Sequence, residues 1–214
     1  MIPGYDMAII HITGMTPTIQ HNGRLANPLD VYAKKLKEVT SKRKKTDKDH
    51  EEMARIEHEG SLYLNDKNQV IWPDDNIQAM IVSGAKRNRL GVQATTGILC
   101  EDALLEYDGP KNSKQLFENV NFRLTTGVVI NRSRIMRTRP IFHKWSTVLT
   151  INFLPDVIEF NQILEAAKNA GRFIGLSDWR PRYGLFKIEK AEHIRYKEGA
   201  GAVSETEFLS LQNK

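Results

Sequence analysis

Apolar residues from Met7 to Ile12 follow one another with little polar interruption and are rich in isoleucine, so the segment reads as a buried strand. After a loop, Asn27 and Pro28 read as an N-cap with proline at the first helical position, and Leu29, Tyr32, Leu36 and Val39 recur at helical spacing. The run SKRKKTDKD breaks that pattern. Thr46 with Asp49 three residues later is a capping-box signature for a second helix, which turns Met53 and Ile56 inward and ends near Gly60. Ser61 to Leu64 and Gln69 to Trp72 flank the turn-forming Asn65-Asp66-Lys67-Asn68 and read as a β-hairpin.

A third helix, capped by Asp74 or Asp75, places Ile77, Met80, Ile81 and Gly84 or Ala85 on one face and ends in Lys86, Arg87 and Arg89. Gly97 to Cys100 reads as a strand, Asp108-Gly109-Pro110 as a turn and Gln115 to Glu118 as a short helix. Three extended segments follow, Phe122 to Ile130, Ile135 to Phe142 and Val148 to Phe153. Asn161 caps a helix lined by Ile163, Ala167, Ala170 and Ile174 that runs into Gly175, and Leu185 to Ile188 is a last strand. This order predicts an α+β fold with an antiparallel sheet covered by helices, because successive strands lie too close in sequence for parallel crossovers. A single domain is expected over 1–190, with a helical insertion at about 28–60 and a peripheral C-terminal tail at 191–214.

Composition narrows the class. With 40% hydrophobic and 27% charged residues the 214-residue chain is ordinary globular material. No run approaches the roughly 20 apolar residues of a membrane helix, and MIPGYDMAII lacks the basic and apolar regions of a secretory signal, so a cytoplasmic protein is expected. The single cysteine, Cys100, excludes an internal disulfide and argues against a thiolate metal cage. No metal or other cofactor is expected.

Net charge is only +5, but it is segregated. Between Phe122 and Trp145 lie six basic residues (Arg123, Arg132, Arg134, Arg137, Arg139 and Lys144) and no acidic one, while Asp and Glu crowd residues 47–59 and 101–108. A local positive surface is how a nearly balanced protein engages a polyanion. Arg132, Arg134, Arg137 and Arg139 suit phosphate, because a planar guanidinium donates two parallel hydrogen bonds and also stacks on bases. The competing reading is a solvated basic hairpin with no ligand.

The segment GRFIGLSDWRPRYG is the more specific signal. Glycines bracket Trp179, Arg180, Arg182 and Tyr183, and aromatics interleaved with arginines suit a single strand whose bases stack while its phosphates pair. The alternative has Trp179 and Tyr183 plugging the core edge. Catalytic readings are poorer. His21, beside Gln20, Asn22 and Arg24, is the histidine best placed to act as acid or base in metal-independent RNA cleavage. Carboxylates show no metal-ligand spacing, and neither a GxxxxGK[ST] loop nor a serine elbow occurs.

VIWPDDNIQAMIVSGAK resembles the I-P-G-S-S-L-(K/R)-G-x-(L/I)-(K/R) turn of the repeat-associated mysterious protein (RAMP) superfamily, and GLSDWRPRYGLFKI resembles its C-terminal glycine-rich loop and final strand. Pro73 is kept, whereas Asp74 and Ala79 stand where that turn has glycines. The arrangement looks most like the backbone subunit of CRISPR effector complexes, and the chain also looks similar to small proteins carried near replication genes in phages and prophages. The resemblance implies an RNA-recognition-like (ferredoxin-like) fold. It implies that Trp179, Arg180, Arg182 and Tyr183 are loop contacts to nucleic acid, with Lys86, Arg87 and Arg89 following the helix; His21, Asn22 and Arg24 are further nucleic-acid-binding candidates from the residues themselves. The resemblance further implies a homo-oligomer or filament along the strand. The function expected is sequence-tolerant, non-catalytic binding of single-stranded RNA or DNA, in phage or mobile-element replication or defence. A RAMP-type endoribonuclease using His21, or a protein-interaction module acting on a host RAMP complex, is the alternative.

Overall fold

A computed structural model describes residues 2–130 and 132–196. In chain order its elements are β1 (Asp6–Gly14), β2 (Thr18–Ile19), α1 (Val31–Thr40), α2 (Asp47–Ser61), β3 (Ile71–Trp72), α3 (Asp74–Lys86), α4 (Gly91–Gly97), β4 (Ile98–Cys100), β5 (Ala103–Leu104), α5 (Ser113–Glu118), β6 (Arg123–Ile130), β7 (Ser133–Phe142), β8 (Ser146–Phe153), α6 (Phe160–Asn169) and β9 (Phe186–Ile194). Residue contacts divide the described residues into two compact units, one of 2–18, 71–107 and 144–196, the other of 19–70, 108–130 and 132–143. The helical insertion expected at about 28–60 falls in the second unit.

The first unit is ferredoxin-like. Its sheet has the order β4-β8-β1-β9, and β1 pairs antiparallel with both β8 and β9 while β4 pairs antiparallel with β8. With α3 and α6 in their chain positions the succession is β-α-β-β-α-β, the α+β topology expected from the sequence. Along β1, Ala8, Ile10 and Ile12 are buried and alternate with half-exposed Ile9 and His11, because successive side chains of a strand point to opposite faces. Leu149, Ile151 and Phe153 of β8, Ile77, Met80 and Ile81 of α3, and Ile163, Leu164 and Ala167 of α6 complete the core. Gly84 permits the close approach of α3 and α6, since a Cβ there would lie 2.1 Å from the Ala166 carbonyl oxygen.

Several local expectations are corrected. The first helix is capped by Asp30, whose side chain accepts the Tyr32 N–H at 2.8 Å, so Leu29 lies before the helix, and it and Val31 are exposed. The second has the expected Thr46/Asp49 capping box but runs through Gly60 to Ser61. The hairpin reduces to one bridge, Leu64 with Val70, and Ile71–Trp72 pair instead with Ala103–Leu104. Glu159, not Asn161, caps α6.

The last strand also outruns its predicted end at Ile188. Ala191 is buried, and His193 Nε2 lies 2.8 Å from Asp6 Oδ2, with the ring stacked on Phe160 at 4.9 Å between centroids. Asp6 Oδ1 accepts the Tyr196 N–H at 2.9 Å. Residues 191–196 therefore belong to the sheet edge rather than to a peripheral tail, and the rest of that tail lies outside the described residues.

The second unit is built on the β6–β7 hairpin. Register runs from Arg123 opposite Pro140 to Ile130 opposite Ser133. On α2, His58 is buried and its Nε2–H donates to the Phe122 carbonyl at 2.9 Å, since a carbonyl can only accept. Burial holds that imidazole down to about 4. Phe117 meets the His58 ring edge-on, and the Arg123 guanidinium lies 4.8 Å from the Phe117 centroid.

Candidate nucleic-acid interface

The loop between α6 and β9 is closed at its neck by backbone. Leu176 N–H donates to the Gly184 carbonyl and Gly184 N–H to the Pro17 carbonyl, both at 2.8 Å, and Thr18 Oγ1 donates to the Leu176 carbonyl at 2.7 Å. Gly175 and Gly184 take φ of +87° and +78°, and a Cβ on them would lie 2.7 Å from the Tyr183 oxygen and 2.4 Å from the Leu176 oxygen. Only glycine suits both the left-handed backbone and the contact. The chain between them, which includes a cis Arg180–Pro181 bond, carries Arg180, Pro181 and Arg182 exposed.

On it, Arg180 and Arg182 are exposed and Trp179 and Tyr183 half-buried. The two rings lie 6.2 Å apart at 47°, and the Arg182 guanidinium sits 5.7 Å from the Tyr183 centroid. The structure thus brings all four predicted loop residues together. Neither aromatic is among the fully buried side chains.

In the same unit Lys86, Arg87 and Arg89 are exposed at the end of α3. Lys86 and Arg89 line a depression of about 370 Å³ with Gly91, Val92, Thr95 and Thr96. Arg87 instead lies on the Phe173 ring, 4.0 Å from its centroid, and Arg172 lies 5.2 Å from it. Arg172 and Phe173 are not legible as site residues in the sequence, because Ile174 fits a buried helical face, whereas the helix ends in a π-turn over Ala170–Ile174.

The second unit separates its candidates. Arg132, with φ of +65°, and Arg134 are exposed near the tip of the β6–β7 hairpin. Val129, Ile135 and Met136 are exposed there too. Arg137 is half-buried and ion-paired with Glu57, and Arg139 is buried at 9% exposure, so these two differ from the exposed Arg132 and Arg134. Asn22 is a cap: its Oδ1 accepts the Arg24 N–H at 3.0 Å and its Nδ2 donates to the Leu62 carbonyl at 3.2 Å. Arg24 lies against the Tyr32 ring at 5.5 Å. His21 is exposed and accepts the Tyr63 hydroxyl on its carbonyl at 3.1 Å. Among the described residues no group of three or more His, Cys, Asp or Glu is placed to hold a metal ion, and no helix is long and apolar enough to cross a membrane.

No protein-family profile matches the chain, and no curated protein matches it. Among solved structures it is similar in fold to a chain of Type III-B Cmr-beta bound to cognate target RNA, a cryo-EM structure, with a TM-score of 0.51 and 14% identity. The match covers 89% of this chain and 61% of that one, so this chain spans about three fifths of its neighbour's length. The likeness agrees with the ferredoxin-like α+β architecture.

Proposed function

We propose that the protein binds single-stranded nucleic acid, without reading its sequence and without cleaving it, through the glycine-pinched loop 175–184. The observation that carries this reading is the exposure of Arg180 and Arg182 beside the half-buried Trp179–Tyr183 pair on a loop whose neck is fixed by backbone hydrogen bonds. Guanidinium groups pair with phosphates through two parallel donors, and aromatic faces stack any base, so the combination is tolerant of sequence. The RNA named with the Cmr-beta neighbour makes RNA the first ligand to try. Arg132 and Arg134 at the tip of the β6–β7 hairpin are a further set of contacts in this reading. Oligomerisation along the strand and a setting in phage or mobile-element replication or defence belong to the same proposal.

The test is equilibrium binding of labelled single-stranded RNA and DNA at several salt concentrations. Affinity should fall with salt with a log-log slope of about 0.7 per phosphate neutralised. Arg180→Ala with Arg182→Ala should weaken binding and make that slope shallower. No binding at low ionic strength, or a double variant that is folded and binds as wild type with the same slope, removes the loop reading.

A further inference from the structure

The surface where α3 ends beside the π-turn after α6 carries features that the loop does not account for. Phe173 is 40% exposed, an unfavourable position for a large apolar ring. The guanidinium carbons of Arg87 and Arg172 lie 4.0 and 5.2 Å from its centroid. Two glycines make this possible. Gly84 lets α3 approach α6, and at Gly171 a Cβ would stand 2.4 Å from the Phe186 carbonyl oxygen, so only glycine lets the turn pack on β9.

The charge is one-sided. The sequence has no acidic residue from Gly84 to Cys100 or from Ala166 to Ser177, yet it places Lys86, Arg87, Arg89, Lys168 and Arg172 there. Lys168 is paired with Glu165, whereas none of Lys86, Arg87, Arg89 and Arg172 is in an ion pair among the described residues. A guanidinium lying over an exposed ring adds its cationic plane to the ring's π-surface, and its N–H groups can donate to a phosphate. That pairing of a flat face with a phosphate donor is complementary to an unpaired nucleotide, whose base and phosphate are both accessible only in a single strand.

We propose that Phe173, with Arg87 and Arg172 against its ring, is a stacking position for an unpaired base, additional to the Trp179–Tyr183 loop. It rests on the reading of the protein as a single-strand binder. A duplex has no base to offer this surface, so the position selects single strands.

The probe is a short single-stranded RNA carrying one fluorescent base analogue whose emission is quenched on stacking, moved through successive positions, with an abasic nucleotide at the same positions as its partner series. Wild type should quench the analogue at more than one position, and an abasic nucleotide at each of these should weaken binding several-fold. Phe173→Leu should abolish quenching and the abasic penalty at one position only, and Phe173→Trp should restore both. Arg87→Gln with Arg172→Gln should weaken binding and make the salt slope shallower at an unchanged unfolding midpoint. Phe173→Leu that keeps every quenched position and every abasic penalty overturns this inference alone. Absence of strand binding by wild type overturns the proposed function together with it.

Discussion

The carboxylate of Glu57, in the last turns of α2, accepts the backbone N–H of Thr138 on β7 at 2.9 Å. The same group carries the Arg137 guanidinium, and Glu57 is 6% exposed. One buried acid therefore fastens helix to strand and engages the half-buried Arg137.

Arg137→Ala leaves that carboxylate without its cation, and the expected loss is about 1.5–3 kcal/mol, the usual range for a hydrogen bond to a charged group. It appears as a lower urea midpoint, with the salt slope of RNA binding unchanged. Arg134→Ala behaves oppositely. An exposed arginine leaves stability within about 0.5 kcal/mol, while the slope becomes shallower. Equal midpoints for the two variants would contradict the assignment.

Acid should weaken the fold through His58. Its folded value of about 4 lies below the ordinary 6.5 because burial penalises the charged ring. Between those values the unfolded chain binds more protons, so the contribution is complete above pH 6.5 and is lost as pH falls to about 4, by roughly 3 kcal/mol in all. Glu59 acts in the opposite sense, since burial raises its value above 4.5. Comparing wild type with His58→Gln isolates the histidine: denaturation midpoints across this range should fall less steeply in the variant. Parallel profiles would show that His58 does not titrate in this way.

Gly175→Ala or Gly184→Ala should displace the loop, because each combines a φ of +87° or +78° with a carbonyl oxygen within 2.7 Å of the new methyl group. Both stability and RNA affinity should decline, and the fluorescence of Trp179 should change. A variant with wild-type affinity and spectrum would remove the argument that the pinched neck positions the binding residues.

Cys100 should be a slow thiol. Burial, with Asp74 and Glu101 nearby, pushes it up to about 12, so almost no thiolate exists at neutral pH. Maleimide labelling of the native protein should be slow and become rapid in urea. Prompt labelling without denaturant would count against the packing of β4.

Sequence alone determined the features that depend on neighbours along the chain. The isoleucine-rich run of β1, the Thr46/Asp49 capping box, the apolar face of α3 and the three extended segments that became β6, β7 and β8 all follow from local periodicity and capping chemistry. The bracketing glycines of the loop were legible for the same reason, since a local need for left-handed backbone selects glycine. Which arginines of the basic segment face outward was not. Arg137 differs from Arg132 and Arg134 because α2, some 80 residues earlier, supplies Glu57 to β7. The pairing of Ile71–Trp72 with Ala103–Leu104, the clasp of His193 on Asp6 and the placement of Arg87 on Phe173 are likewise contacts between distant segments. Local pattern specifies which residues can pair or stack, but only the packed chain decides which partner is within reach.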